Sequence, residues 1–235
     1  MLKEFAQYLV KLGTTDVFTV NKQQYSNQPL HLLKKPTPST IGVRSLSGLV
    51  DYIQSEFDGS IPLMIHVESP TRVKVFSQTN ADEERDHVIV ADAMIPEFRF
   101  DQFYDTEAFN IKLQSCFVKN EDRDIMLKVV GSIKEEGVQE VGDDGISQAV
   151  TARTGVATVG NVKVPNPVEL APRRTFVEVD QPESDFVFRM RSGPKCALFE
   201  ADGGAWELEA MENIADYLES SLEDQVKASR IHIIS

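Results

Sequence analysis

The chain has 235 residues, 41% of them hydrophobic and 26% charged, a length and balance that exclude a disordered chain and allow a sizeable core. Its formal net charge of −13 argues against nonspecific binding to duplex nucleic acid or to an anionic membrane surface, since both carry the same sign. The two cysteines form no CxxC pair, which fits a reducing compartment, the cytoplasm, better than a zinc ribbon.

Leu2 to Leu12 is expected to form a short helix with Phe5, Leu9 and Leu12 on one face and Gly13 as its stop. It lacks the long apolar stretch and small-residue cleavage site of a signal peptide, and no later run of roughly 18 apolar residues would cross a membrane. Asp16 to Val20 has the composition of a strand. Asn21 to Thr40 is polar, carries Pro29, Pro36 and Pro38, and is read as an extended arm. Residues 1–40 are therefore set apart from a composite domain over 41–235, with a secondary boundary near residue 137.

Ser45 to Phe57 is predicted helical, with Ser45 as N-cap and Leu46, Leu49, Val50, Ile53 and Phe57 as its apolar stripe. Pro62–Glu68, Thr71–Ser77 and His87–Asp92 alternate apolar and polar residues, as strands of a meander do. Asp101–Phe117 and Asp122–Glu136 read as a helical hairpin broken at Lys119-Asn120. Val138–Val141 and Ile146–Arg153 flank a Gly-Asp-Asp-Gly turn, and Gly155–Val164 adds a strand region. Thr175–Val179, Phe186–Arg191 and Ala197–Ala201 are predicted strands. Leu208–Lys227 is the longest expected helix, and Ile231–Ile234 ends the chain as a strand or as an apolar tail docked on a neighbour. The fold class is accordingly α+β, with antiparallel sheets, packed helices and a long C-terminal amphipathic helix.

The order of these elements carries a resemblance. The segment MIPEFRFDQFYDTEAFNIKLQSCFV, the helix DIMLKVVGSI, and the later pair TFVEVDQPESDFVFRMRS and ALFEADGG resemble the YfdQ-like family of tailed phages and prophages. The likeness covers roughly residues 40 to 225 and rests on layout and short apolar signatures. It implies a phage origin, an infected bacterial cytoplasm as location, and no catalytic residue to carry over.

No phosphate-binding loop, dinucleotide fingerprint, zinc-protease helix or nucleophile elbow occurs, so the chain is read as a non-enzyme without cofactor or metal. His66 and His87 fall in neighbouring predicted strands and are weighed as a cross-strand polar pair. The acidic run Asp82, Glu83, Glu84 and Asp86 is read as a solvated loop. Arg173, Arg174, Arg189, Arg191 and Lys195 are the one basic concentration and a candidate site for a small anionic ligand, against interleaved Glu178, Asp180, Glu183 and Asp185. Tyr25, Leu30, Leu32, Leu33, Trp206, Ile231, Ile233 and Ile234 are candidate interface residues.

The reading that follows is an accessory protein that self-assembles into a homo-oligomer, up to a large or shell-like assembly. The alternative is a counter-defence binder that sequesters a nucleotide or mimics nucleic acid. An enzyme of phage nucleic-acid metabolism ranks below both.

Overall fold

The computed structural model describes residues 2–29, 36–81, 83–131, 138–143, 148–154, 157–158, 166–191, 193 and 195–235. Contacts divide the chain into two units, Met1–Pro38 and Ser39–Ser235.

The first unit holds helix α1 (Leu2–Leu12) and a hairpin of β1 (Val17–Val20) and β2 (Gln23–Ser26). The second strand lies in the stretch expected to be an irregular arm. Asn21 and Lys22 connect the strands with φ of 53° and 68°, the left-handed pair that a two-residue turn of the primed type needs. Asn tolerates that conformation, and the turn brings Phe18 opposite Tyr25 with their rings stacked 6.3 Å apart.

The second unit opens with β3 (Ile41–Val43) and α2 (Leu46–Ser55). The Ser45 hydroxyl accepts the Gly48 amide and so caps α2. Leu46, Leu49, Val50 and Ile53 are its buried face. Phe57, expected on that stripe, is 82% exposed, because Glu56 turns left-handed and the helix ends at Ser55. Strands β4 (Leu63–Ser69), β5 (Arg72–Thr79) and β6 (Arg85–Asp92) form the expected antiparallel meander. β7 (Tyr104–Asp105) leads into α3 (Thr106–Cys116), where the Asp105 carboxylate accepts the Ala108 amide. The helix thus starts later than Asp101, and Phe103 stays outside it.

α4 (Glu121–Gly131) completes the helical hairpin. Arg123 reaches back from α4 and donates to the carbonyls of Leu113 and Gln114, closing the end of α3. β8 (Val138–Asp143), β9 (Gln148–Thr154) and β10 (Ala157–Thr158) form a small antiparallel sheet, while Asp144 and Gly145 of the expected turn and residues 146 and 147 of the strand expected after it lie outside the described residues. β11 (Val168–Leu170), β12 (Ser184–Arg191) and β13 (Lys195–Glu200) join β7 in a four-stranded sheet of order β11-β12-β13-β7.

The expected strand Thr175–Val179 is a loop. The Gln181 side chain takes up its backbone groups, accepting from the Arg174 and Thr175 amides and donating to the Phe176 and Val179 carbonyls. With those groups satisfied by one side chain, no neighbouring strand is needed. The long C-terminal helix is two helices, α5 (Ala205–Ser221) and α6 (Glu223–Lys227), separated by Leu222 at φ −114° and ψ 25°. Leu218 and Leu222 are fully buried, as their spacing predicted.

The chain ends in β14 (Ile231–Ile234), which pairs in parallel with β4. The main sheet is therefore mixed, order β14-β4-β5-β6-β3, with both edge strands parallel to their neighbours. Two apolar cores result. One lies between this sheet and helices α2 and α5, around Ile65, Val75, Ile214 and Leu218. The other lies between the four-stranded sheet and α3 and α4, around Phe109, Met126, Phe186 and Leu198.

Candidate functional site

The loop between β11 and β12 carries the most elaborate polar arrangement among the described residues, centred on Arg174. The preceding segment is fixed to the second core: the Arg173 amide donates to the Cys116 carbonyl and Phe117 bridges to Pro172. The following segment reaches the main sheet, where the buried Thr175 hydroxyl donates to the Pro70 carbonyl at 2.5 Å. Between these anchors the Arg174 guanidinium is held at the open end of the β12–β13 pair. One amino nitrogen donates to Glu200 at 2.8 Å and the other to the Ser184 hydroxyl at 2.5 Å.

Its plane lies over the Trp206 ring, 3.8 Å from the centroid, and 5.6 Å from that of Phe186. Only 7% of the residue is exposed. Burial lowers its pKa below the ordinary guanidinium value, while Glu200, Asp202 and Glu207 hold the charged form in place. Asp202 is the reverse case. Burial would raise its pKa, but the Ser184 hydroxyl, the Gly204 amide and Arg174 outweigh that and hold it low. Gly203 and Gly204, at φ 66° and 84°, supply the left-handed turn that delivers Asp202 and Trp206 to the same place.

Beside this cluster lies a cleft of about 260 Å3, walled by Ile95, Pro96, Phe98, Phe100 and Trp206, with Arg173, Arg174 and Glu200 at its polar side. Arg174 already has its charge matched by Glu200, so it adds no free cation to the cleft.

The five cations of the predicted anion site do not converge. Arg174 bonds to Ser184, at one end of β12, whereas Arg191 sits at the other end, opposite Lys195. Seven residues of extended strand separate the two groups by roughly 23 Å. Arg191 stacks over Phe103 at 4.0 Å, and Arg189 donates to the Phe188 carbonyl at 3.1 Å. Arg173 is exposed. The β12–β13 pairing keeps Arg191 opposite Lys195, with Arg189 two residues along the same strand, and sets Arg174 at the far end from them.

The histidine pair is also corrected. Strand β5 runs between His66 and His87, and Phe76 interposes its ring, 6.5 Å from the first and 4.6 Å from the second. Among the described residues no group of three His, Cys, Asp or Glu could hold a metal ion. Nor, among the described residues, is any helix long and apolar enough to cross a membrane.

The predicted interface residues divide. Ile231 is only 1% exposed and Ile233 packs on the first core, so these two are internal residues of the chain's own sheet. The reason is the parallel register with Leu63 and Ile65, which the apolar terminus alone did not reveal. Ile234 is 47% exposed on the edge strand. Trp206 is half-buried under Arg174. Leu30, Leu32 and Leu33 lie outside the described residues. Tyr25 is exposed, and it belongs to a wider surface.

That surface is the whole first unit. Every described side chain of α1 and β1 is exposed, and in β2 only Ser26 reaches half-burial. Leu2 stands 89% exposed, and Phe5, Leu9, Phe18, Val20 and Tyr25 are each about half exposed or more. The sequence signal for this was the helix stripe at Phe5 and Leu9 with no matching apolar partner in the polar stretch that follows.

Comparison with family models, with curated proteins and with solved structures found no match.

Proposed function

We propose that this protein is a non-enzymatic, self-assembling accessory protein, built to form a homo-oligomer through its N-terminal unit. The observation that carries the reading is the absence of any buried apolar side chain in the described part of Met1–Pro38. A helix of 11 residues is marginal in water by itself, and so is a lone two-stranded hairpin. Units below about 40 residues usually need a disulfide, a metal or a partner to hold their form. The chain's two cysteines both lie elsewhere, at Cys116 and Cys196, which leaves a partner.

An accessory role in an infected cell is what the resemblance read from the sequence implies, and no family model matches the chain. Arg174 stands apart from Arg189, Arg191 and Lys195 and is matched by Glu200, which favours self-assembly over the nucleotide-sequestering alternative. Light scattering on the purified chain at micromolar concentration tests the proposal. The expected mass is a multiple of 26.3 kDa, and a single 26.3 kDa species would refute it.

A further inference from the structure

The charge of the chain is divided very unevenly. Residues 1–38 hold five lysines against Glu4 and Asp16, a formal charge of +3, which leaves −16 on residues 39–235. The most one-sided element of the second unit is α5. It carries Glu207, Glu209, Glu212, Asp216 and Glu219, all exposed, and no basic residue. Leu208 stands among them, exposed and apolar.

We infer that the basic, apolar N-terminal unit of one copy docks on the acidic outer face of α5 in a second copy. This rests on the self-assembly proposed above and specifies how it occurs. Two N-terminal units meeting each other would bring +3 against +3, and two α5 faces would bring acid against acid. The cross-wise contact sets opposite charges together around an apolar centre of Phe5, Leu9 and Leu208, the arrangement in which electrostatic complementarity chooses the partner and apolar burial holds it. The contact is heterologous: each chain offers one donor unit and one acceptor helix, so copies can close into a ring or extend as a filament.

The test uses two full-length variants, Lys3→Glu with Lys22→Glu, and Glu212→Lys with Asp216→Lys. All four positions are exposed, so both cores are left intact, which a thermal melt checks. Each variant alone is expected to assemble about tenfold more weakly than the natural chain. Mixing the two restores assembly, because the intact basic unit of one meets the intact acidic helix of the other. If the natural chain assembles but neither variant is weakened, or mixing restores nothing, the inference is overturned while self-assembly stands. If the natural chain is a monomer, the proposed function itself fails.

Discussion

Arg174 shows how one side chain can decide local structure. A guanidinium can satisfy a carboxylate, a hydroxyl and two aromatic faces at once because its donors and its flat surface point in different directions. Arg174→Met would keep much of the packing but take from Ser184 and Glu200 their shared donor, and from Asp202 its neighbouring cation. A loss of about 2–4 kcal/mol is expected in urea unfolding, with a shifted emission from Trp206, the only tryptophan. A loss under about 0.5 kcal/mol would show the stack to be incidental. Tyr52 offers a second check. Burial, together with its hydrogen bond to Asp58, pushes its phenol up to about 12. A raised pKa means the fold favours the neutral phenol. Its contribution is complete below about pH 10, the ordinary value, and disappears as pH rises towards about 12. Ultraviolet titration should find one of the five tyrosines ionising about two pH units late, and Tyr52→Phe should remove that step. Cys196 is likewise pushed up to about 12 by burial, so its thiol should resist alkylation until the chain unfolds.

Among the elements, β14 and α5 do most to close the main core. Ile231 on the edge strand and Leu218 on the helix are both buried against it. Replacing either by alanine should cost about 2–5 kcal/mol in chemical unfolding. A change near zero for Ile231 would show that the terminal strand is not part of the folded core. Where a single period governs an element, the sequence was enough to find it: α2, the meander and the buried face of α5 follow from spacing alone. What distant partners decide was not legible. β3 was not expected, and Ile231–Ile234 was expected as a strand or a docked tail without its parallel pairing to β4, because both pairings depend on residues far along the chain. The loop at Thr175–Val179 has strand-like residues, and its form follows from one glutamine side chain, Gln181. The same reason explains the candidate site. Arg174 and Trp206 could each be singled out by composition, but their stacking depends on the Gly203-Gly204 turn meeting the loop before β12. Arg174 is parted from Arg191 and Lys195 because nearness in sequence is lost along an extended strand.

For the whole molecule, the governing fact is a body with two closed cores and a small unit with no buried apolar side chain among its described residues. The −16 carried by residues 39–235 should keep the protein off duplex DNA at physiological salt, and a gel shift with submicromolar binding would contradict that. The first unit has the opposite sign and exposed apolar side chains on both its helix and its hairpin. Its amides report directly on whether another copy covers it, because an isolated helix and hairpin of this size exchange almost freely. The decisive measurement is amide hydrogen exchange over residues 2–26 of the full chain at low and at high protein concentration. Self-assembly through this unit predicts strong slowing at high concentration, with the buried strands β4 and β5 unchanged. Equally fast exchange of residues 2–26 at both concentrations, in a chain whose core strands remain protected, would contradict it.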